Sequence, residues 1–189
     1  MVSLPHLWLP IVLSAVIVFA ASCVIHMLLG YHRKDLSKIP EEDQVMEALR
    51  KFSLRPGDYM FPCAHGLKET KSPEFIDKMT KGPVGVLTLF PSGPPTMAKP
   101  LVGWFVYGLV VSVFAAYIAG RALPPGEQYL AVFRFAGCTA FIGYSLALWQ
   151  AAIWYKKSWK TTLKSTFDGL IYGLLTGGTF GWLWPSMPV

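Results

Sequence analysis

Four long apolar stretches stand out from the polar positions of this 189-residue chain. They cover residues 7–30, 101–120, 130–153 and 167–184. An α-helix needs about 20 residues to cross the roughly 30 Å of hydrocarbon in a bilayer. The first three stretches reach that length, whereas the fourth is the shortest and the richest in glycine. The pattern predicts a mainly α, integral membrane protein with a four-helix transmembrane bundle. We expect the fourth helix to be the one most easily tilted into a neighbour or broken at Gly177-Gly178.

Residues 31–100 separate the first two apolar stretches and carry shorter patterns of regular structure. The proline and acids at 40–43 favour a helix start, and Ser72-Pro73 favours another. The apolar run 84–90 is typical of a strand, and 59–62 of a shorter one. We therefore predict a small folded α/β segment between helices 1 and 2; the alternative is packing on the helix ends without a sheet. The division is residues 1–30 for helix 1, 31–100 for this segment, and 101–189 for helices 2–4, with a basic loop at 154–166.

The basic residues are concentrated in two of the segments between the helices. Of the 17 Lys and Arg residues, eleven lie in 31–100 and four in 154–166, while both ends of the chain hold none. Lys and Arg are enriched in cytoplasmic loops. The pattern therefore predicts that both basic segments are cytoplasmic and that both termini lie outside, and the small size suggests a bacterial inner (plasma) membrane. The second segment fits either a solvated basic loop or an interfacial helix that faces anionic lipid. The lysines that are candidates for this lipid contact are Lys156, Lys157, Lys160 and Lys164.

Composition supports the membrane assignment and excludes two other classes of protein. Charged residues make up 15% of the chain, against about 25% in soluble domains. The three cysteines form no paired motif, so a disulfide framework is not expected. The basic residues of 31–100 are interleaved with acids, which argues against a nucleic-acid partner.

Small residues recur at every fourth position on two of the helices. Such residues let backbones approach closely inside a bilayer, where hydrophobicity alone cannot drive helices together. The second and fourth helices run in the same direction, so we expect their small-residue faces to form one close crossing. The alternatives are a glycine zipper between copies of the chain and a pore. The predicted helix-packing residues are Gly108, Ser112, Ala116, Gly120, Gly169, Gly173, Gly177 and Gly181.

Three polar residues in the apolar stretches are candidate membrane sites. Arg134 lies near the outer end of the third helix, where it reaches the surface, pairs with Glu127 or binds an anionic substrate. Asp168 opens the fourth helix, and Lys164 four residues earlier is its expected partner. Gln150, together with Arg134 and the glycines, would line a path in a transporter.

The histidines and cysteines give weak candidates for a metal. His26 follows Cys23 by three residues on one helical face, and His32 lies just beyond that helix. Cys63 and His65 form a second pair, but two ligands make only half of a zinc site. No cofactor is predicted, and metal or haem stays open as an alternative. Phosphate-binding loops and the common hydrolase motifs are not present, so no enzyme is predicted.

Taken together, these features favour a small, non-enzymatic inner-membrane protein. We expect an accessory, scaffold or assembly subunit that acts through helix packing and its cytoplasmic segment, with another membrane protein or itself as partner. The first alternative is a small-solute transporter or oligomeric channel. The second is a membrane metal- or haem-binding protein, or a thiol enzyme using Cys63 and His65.

Overall fold

The computed structural model describes residues 1–186 and is mostly helical, with one small sheet. Two compact units make up the chain: Ser37–Pro95 is one, and Met1–Leu36 with the residues from Thr96 onward is the other. The elements in chain order are α1 Trp8–Cys23, α2 Glu42–Lys51, β1 Gly57–Phe61, α3 Leu67–Thr70, α4 Pro73–Lys81, β2 Gly85–Leu89, α5 Ala98–Ala122, α6 Tyr129–Ser145, α7 Leu148–Tyr155 and α8 Trp159–Trp182. A 3₁₀ turn, Leu4–Leu7, precedes α1, and a π-helical segment, Val24–Leu29, extends it.

Three helical stretches within residues 1–186 are long and apolar enough to cross a membrane. They are Leu4–Leu29, Ala98–Ala122 and Tyr129–Tyr155. These stretches contain the first three apolar runs of the sequence, apart from Gly30, and confirm transmembrane helices as the main feature of the fold. The fourth predicted helix exists as α8, but its lysines, threonines and glycines make it less apolar than the other three.

Helix α8 differs from the sequence expectation at its start and in its middle. It begins at Trp159, eight residues before the apolar run, because the Ser158 hydroxyl accepts a hydrogen bond from the Thr161 amide and caps the first turn. Most of the predicted 154–166 loop is therefore helical. The helix continues without a break through Gly177-Gly178. Their flexibility is outweighed by packing of this stretch against α6.

In the unit that contains α1, α5, α6 and α8, each of these helices runs antiparallel to the helices that it packs against. At one end, the Val2 amide donates to the Gly120 carbonyl at 2.8 Å, and the Gly126 amide donates to the Pro185 carbonyl at 2.7 Å. At the opposite end, the Lys164 ammonium donates to the Tyr31 carbonyl at 2.7 Å. The start of α1, the α5–α6 loop and the end of α8 thus meet at one end of the bundle.

The unit Ser37–Pro95 contains a two-stranded sheet and three short helices. Strands β1 and β2 pair antiparallel, with Tyr59 opposite Leu87. Helix α4 is capped by the Ser72 hydroxyl, as its sequence predicted. Every residue of this unit is described, and none of them is buried. Its secondary structure therefore forms without an enclosed core of its own.

Candidate functional site

A cluster of polar side chains lies at the end of the bundle where Lys164 meets Tyr31. The chain reaches this cluster because α1 widens into π-helical turns over Val24–Leu29 and then stops at Gly30. Gly30 has φ +64°, a left-handed conformation that side chains rarely adopt. The reversal places the residues after Gly30 against the first turns of α8. The cluster consists of His26, Tyr31, His32, Asp35, Lys164 and Asp168.

His32 lies between two carboxylates. Its Nδ1 is 2.5 Å from Oδ2 of Asp35, and its Nε2 is 2.7 Å from Oδ2 of Asp168. The Tyr31 hydroxyl donates to the other oxygen of Asp168. Asp168 is only 3% exposed, so these two partners replace the water that an ionised carboxylate would otherwise require.

Lys164 binds two other members of the cluster. Its ammonium lies 2.5 Å from Oδ1 of Asp35 and 2.7 Å from the Tyr31 carbonyl. The hydrogen bond from Lys164 holds the pKa of the Asp35 carboxyl below its usual range. The sequence spacing predicted Lys164 as the partner of Asp168. In the structure Lys164 binds Asp35 instead, because Tyr31 and His32 already occupy both oxygens of Asp168.

His26 completes the cluster from the π-helical segment. Its ring centroid lies 4.6 Å from that of His32, and its side chain is exposed. One ligand atom from each of His26, His32 and Asp168 can be chosen so that all three lie within 4.8 Å of one another. Among residues 1–186, these three side chains form the group that could hold a metal ion. Cys63 and His65 do not belong to it.

A layer of aromatic side chains packs in the bundle next to this cluster. Tyr172, one turn beyond Asp168, has ring centroids of Tyr144 and Trp104 at 5.4 and 5.8 Å. The Trp104 indole donates to the Ser22 hydroxyl at 2.8 Å. The hydroxyls of Tyr144, Tyr172 and Thr176 are buried without a hydrogen-bond partner among the described residues. The interior of the bundle is therefore polar as well as aromatic near the cluster.

The glycines of α8 pack against α6. A Cβ placed on Gly173 would lie 3.0 Å from the Gly137 carbonyl oxygen, and one on Gly177 would lie 2.7 Å from that of Phe133. A Cβ on Gly169 would overlap Ser145, and one on Gly181 would lie 2.7 Å from the Tyr129 ring. The backbones of α6 and α8 are in close contact along this face.

The small residues of α5 pack against the start of the chain and α1. The Ser14 hydroxyl donates to the Ser112 hydroxyl at 3.0 Å, and a Cβ on Gly120 would lie 2.6 Å from the Val2 carbonyl oxygen. Gly108 and Ala116 are also buried. This corrects the expected direct crossing of α5 with α8. The four helices alternate in direction, so each small-residue face meets an antiparallel neighbour.

The other predicted polar residues lie apart from the cluster. Arg134 and Gln150 are exposed on the surface of the bundle. Among the ion pairs of residues 1–186 there is none between Arg134 and Glu127. Cys63 and His65 are both exposed residues of the unit Ser37–Pro95, and neither belongs to the group of His26, His32 and Asp168.

Sequence reasoning identified His26, His32, Asp168 and Lys164 but did not bring them together, and it missed Tyr31 and Asp35. Asp168 is 136 residues from His32, so no local spacing connects them. The available signal was His32 three residues before Asp35, the spacing of a local ion pair. No protein-family model, curated protein or solved structure matches this chain.

Proposed function

We propose that the chain is a four-span, non-enzymatic accessory or assembly subunit of a bacterial inner membrane, whose segment Ser37–Pro95 binds a partner protein. In this proposal α8 is the fourth span, and both termini lie outside. The segment Ser37–Pro95 and the lysines near the start of α8 lie in the cytoplasm, where the basic residues favour them.

Length and packing support α8 as a span. The 18 residues of α8 that follow Lys164 extend about 27 Å, which is close to the roughly 30 Å thickness of the hydrocarbon core for a nearly upright helix. Its glycine face packs on α6, while Leu170 and Leu174 on another face are exposed apolar side chains. A helix at the surface of a soluble protein would present polar side chains there instead. An even number of spans also agrees with the meeting of Val2, Gly120, Gly126 and Pro185 at one end.

The exposed apolar surface of Ser37–Pro95 is the observation that carries the proposed function. None of its residues is buried, and its large apolar side chains remain open to a partner. One groove of about 370 Å³ is lined by Met46, Leu49, Leu54, Leu89 and Phe90 together with polar neighbours. Phe90 is 80% exposed, which is unusual for a phenylalanine without a contact partner.

Charge favours a protein over a lipid surface as the partner of this groove. The segment Ser37–Pro95 contains eight basic and eight acidic residues, so its formal charge is zero. A surface that bound anionic headgroups would carry a basic excess. Binding through the groove would instead rest on burial of apolar side chains, at about 25 cal/mol per Å².

The small-residue faces support packing within one chain rather than a zipper between copies. The glycines of α8 contact α6. In α5, Gly108 contacts Tyr144 of α6 and Ala15 of α1, and Gly120 contacts Val2. The outward positions of Arg134 and Gln150 provide no lining for a transport path. For these reasons we propose that the contact surface lies on the segment between the first two helices.

Photo-crosslinking of the full-length chain in its native membrane tests this function. We would introduce p-benzoylphenylalanine at Phe90 and, as a matched exposed control, at Lys68 of α3. We expect one discrete protein adduct from position 90 that is not formed from position 68. Leu89→Asp, at the floor of the same groove, should abolish it. Only lipid adducts, adducts within the same chain, or equal adducts from both positions would contradict the proposal.

A further inference from the structure

We propose that His26, His32 and Asp168 form a binding site for one divalent first-row transition-metal ion of the zinc class. The site shares no residue with the groove on Ser37–Pro95. It joins the end of the first membrane helix to the start of α8.

Three elements of the fold converge at this site. His26 comes from the π-helical segment, His32 from the turn after Gly30, and Asp168 from α8. One potential ligand atom of each lies within 4.8 Å of the other two. Local π-helical turns are rare and occur often at functional sites. Here the π turns and Gly30 bring the two histidines beside a carboxylate that is distant in sequence.

A neutral His32 has one N–H for two carboxylate contacts. A neutral imidazole carries one N–H, but both ring nitrogens of His32 face carboxylate oxygens, at 2.5 and 2.7 Å. If Nδ1 donates its proton to Asp35, the lone pair of Nε2 faces an oxygen lone pair of Asp168. A cation between Nε2 and Oδ2 removes this repulsion. The candidates for that cation are a second proton on His32 and a metal ion.

The surrounding hydrogen bonds resemble those that orient metal ligands in proteins. Histidine ligands of metals usually donate their second N–H to a carboxylate, which fixes the ring and its tautomer. Asp35 provides that carboxylate for His32 and is itself held by Lys164 at 2.5 Å. The Tyr31 hydroxyl binds one oxygen of Asp168 and leaves the other directed at His32. These contacts orient two of the three ligands before any ion binds.

The charges of the cluster also favour a bound cation. Asp35 and Asp168 carry two negative charges, and Lys164 contributes one positive charge. With neutral imidazoles the cluster has a net charge of −1, and Asp168 is nearly inaccessible to water. A metal ion bound there would offset this negative charge.

The ligand types indicate the class of ion. Two imidazoles and one carboxylate suit Zn²⁺ and similar transition metals, whereas Ca²⁺ and Mg²⁺ prefer oxygen ligands alone. Bonds of about 2.0–2.1 Å would place neighbouring ligand atoms roughly 3.3 Å apart in a tetrahedral site. His32 and Asp168 would separate slightly, and His26 would close in. Because His26 is exposed, the fourth coordination position is reachable from outside the cluster.

Metal titration of the purified full-length chain in metal-free detergent tests the site. We would measure Zn²⁺ stoichiometry by mass spectrometry and coordination by the visible d–d spectrum of bound Co²⁺. We expect one ion per chain, a tetrahedral or five-coordinate Co²⁺ spectrum, and a higher thermal midpoint with Zn²⁺ than without.

The variant His26→Ala is the central comparison, because His26 is exposed and its removal leaves the Asp35–His32–Asp168 hydrogen bonds in place. It should weaken Zn²⁺ binding at least tenfold while the metal-free midpoint changes little. Asp35→Asn should weaken binding by about 10- to 100-fold through the orientation of His32. The matched control His65→Ala should bind Zn²⁺ as the parent chain does.

Absence of stoichiometric Zn²⁺ binding would overturn the proposal and leave a protonated His32 as the cation of the cluster. Equal binding by the parent chain and His26→Ala would overturn it as well. Loss of binding in His65→Ala instead of His26→Ala would place the ion in the segment Ser37–Pro95 and contradict the proposed site.

Discussion

Substitution of Gly177 by alanine tests the close contact between α6 and α8. The added Cβ would lie 2.7 Å from the Phe133 carbonyl oxygen and 3.0 Å from Cα of Gly137. Close C–H···O contacts between helices are found at about 3.3–3.6 Å, so the new methyl group is roughly 0.6 Å too near. The atoms that it meets include backbone, which cannot rotate away. The two helices would have to separate along their common face.

The adjacent glycine provides a matched control. A Cβ on Gly178 would lie 3.5 Å from the Tyr129 hydroxyl, which is an ordinary van der Waals contact. Both substitutions gain about 1 kcal/mol of helix propensity, so this term cancels between them. Overpacking costs about 1–3 kcal/mol. We therefore expect Gly177→Ala to be less stable than Gly178→Ala by about 1–3 kcal/mol.

Unfolding of the two purified variants in mixed micelles measures this difference. Dodecyl sulfate would be titrated into each sample, and the fluorescence of the seven tryptophans would follow the transition. Gly178→Ala should unfold at or above the midpoint of the parent chain, and Gly177→Ala below both. Equal midpoints for the two variants would refute the close α6–α8 contact.

Two further predictions concern contacts between other helices. Lys164→Met should destabilise the chain by about 1–3 kcal/mol, because it leaves the half-enclosed Asp35 carboxylate without its ammonium partner. In the same unfolding titration, the exposed control Lys160→Met should change the stability by no more than about 0.5 kcal/mol. Equal effects of the two substitutions would exclude a stabilising role for the Lys164–Asp35 ion pair. The hydrogen bond between Ser14 of α1 and Ser112 of α5 is buried and 3.0 Å long. A double-mutant cycle with alanine at both positions should therefore give a coupling energy of about 0.6 kcal/mol. Additive effects would show that the two hydroxyls act independently.

Length and apolar composition predicted the three candidate spans, because both are properties of consecutive residues. The start of α8 at Trp159 was left open by the sequence, since the lysines before Phe167 fit either a solvated loop or an interfacial helix. The Ser158 cap, together with the contacts of Thr162 and Lys164 with other parts of the bundle, makes that stretch helical. Hydropathy alone does not register such contacts.

The partners of the predicted site residues followed from tertiary structure and not from spacing. The four-residue repeat predicted helix packing at Gly173 and Gly177, where an added Cβ would have little space, but it carried no information about which helix they meet. Similarly, Asp168 and Lys164 are four residues apart but do not bind each other. Tyr31 binds Asp168, and Asp35 binds Lys164. The left-handed Gly30 produces that arrangement, and one glycine at the end of an apolar run is a weak signal.

Cysteine labelling in intact cells tests the four-span membrane topology most directly. A membrane-impermeant maleimide would be applied to Ser3→Cys and Ser186→Cys in chains whose native cysteines are replaced, and to a chain that retains Cys63 alone. We predict labelling of positions 3 and 186 in intact cells, and of the exposed Cys63 only after the membrane is permeabilised. If position 186 were labelled only together with Cys63, α8 would not span the membrane, and the account of the bundle would be contradicted.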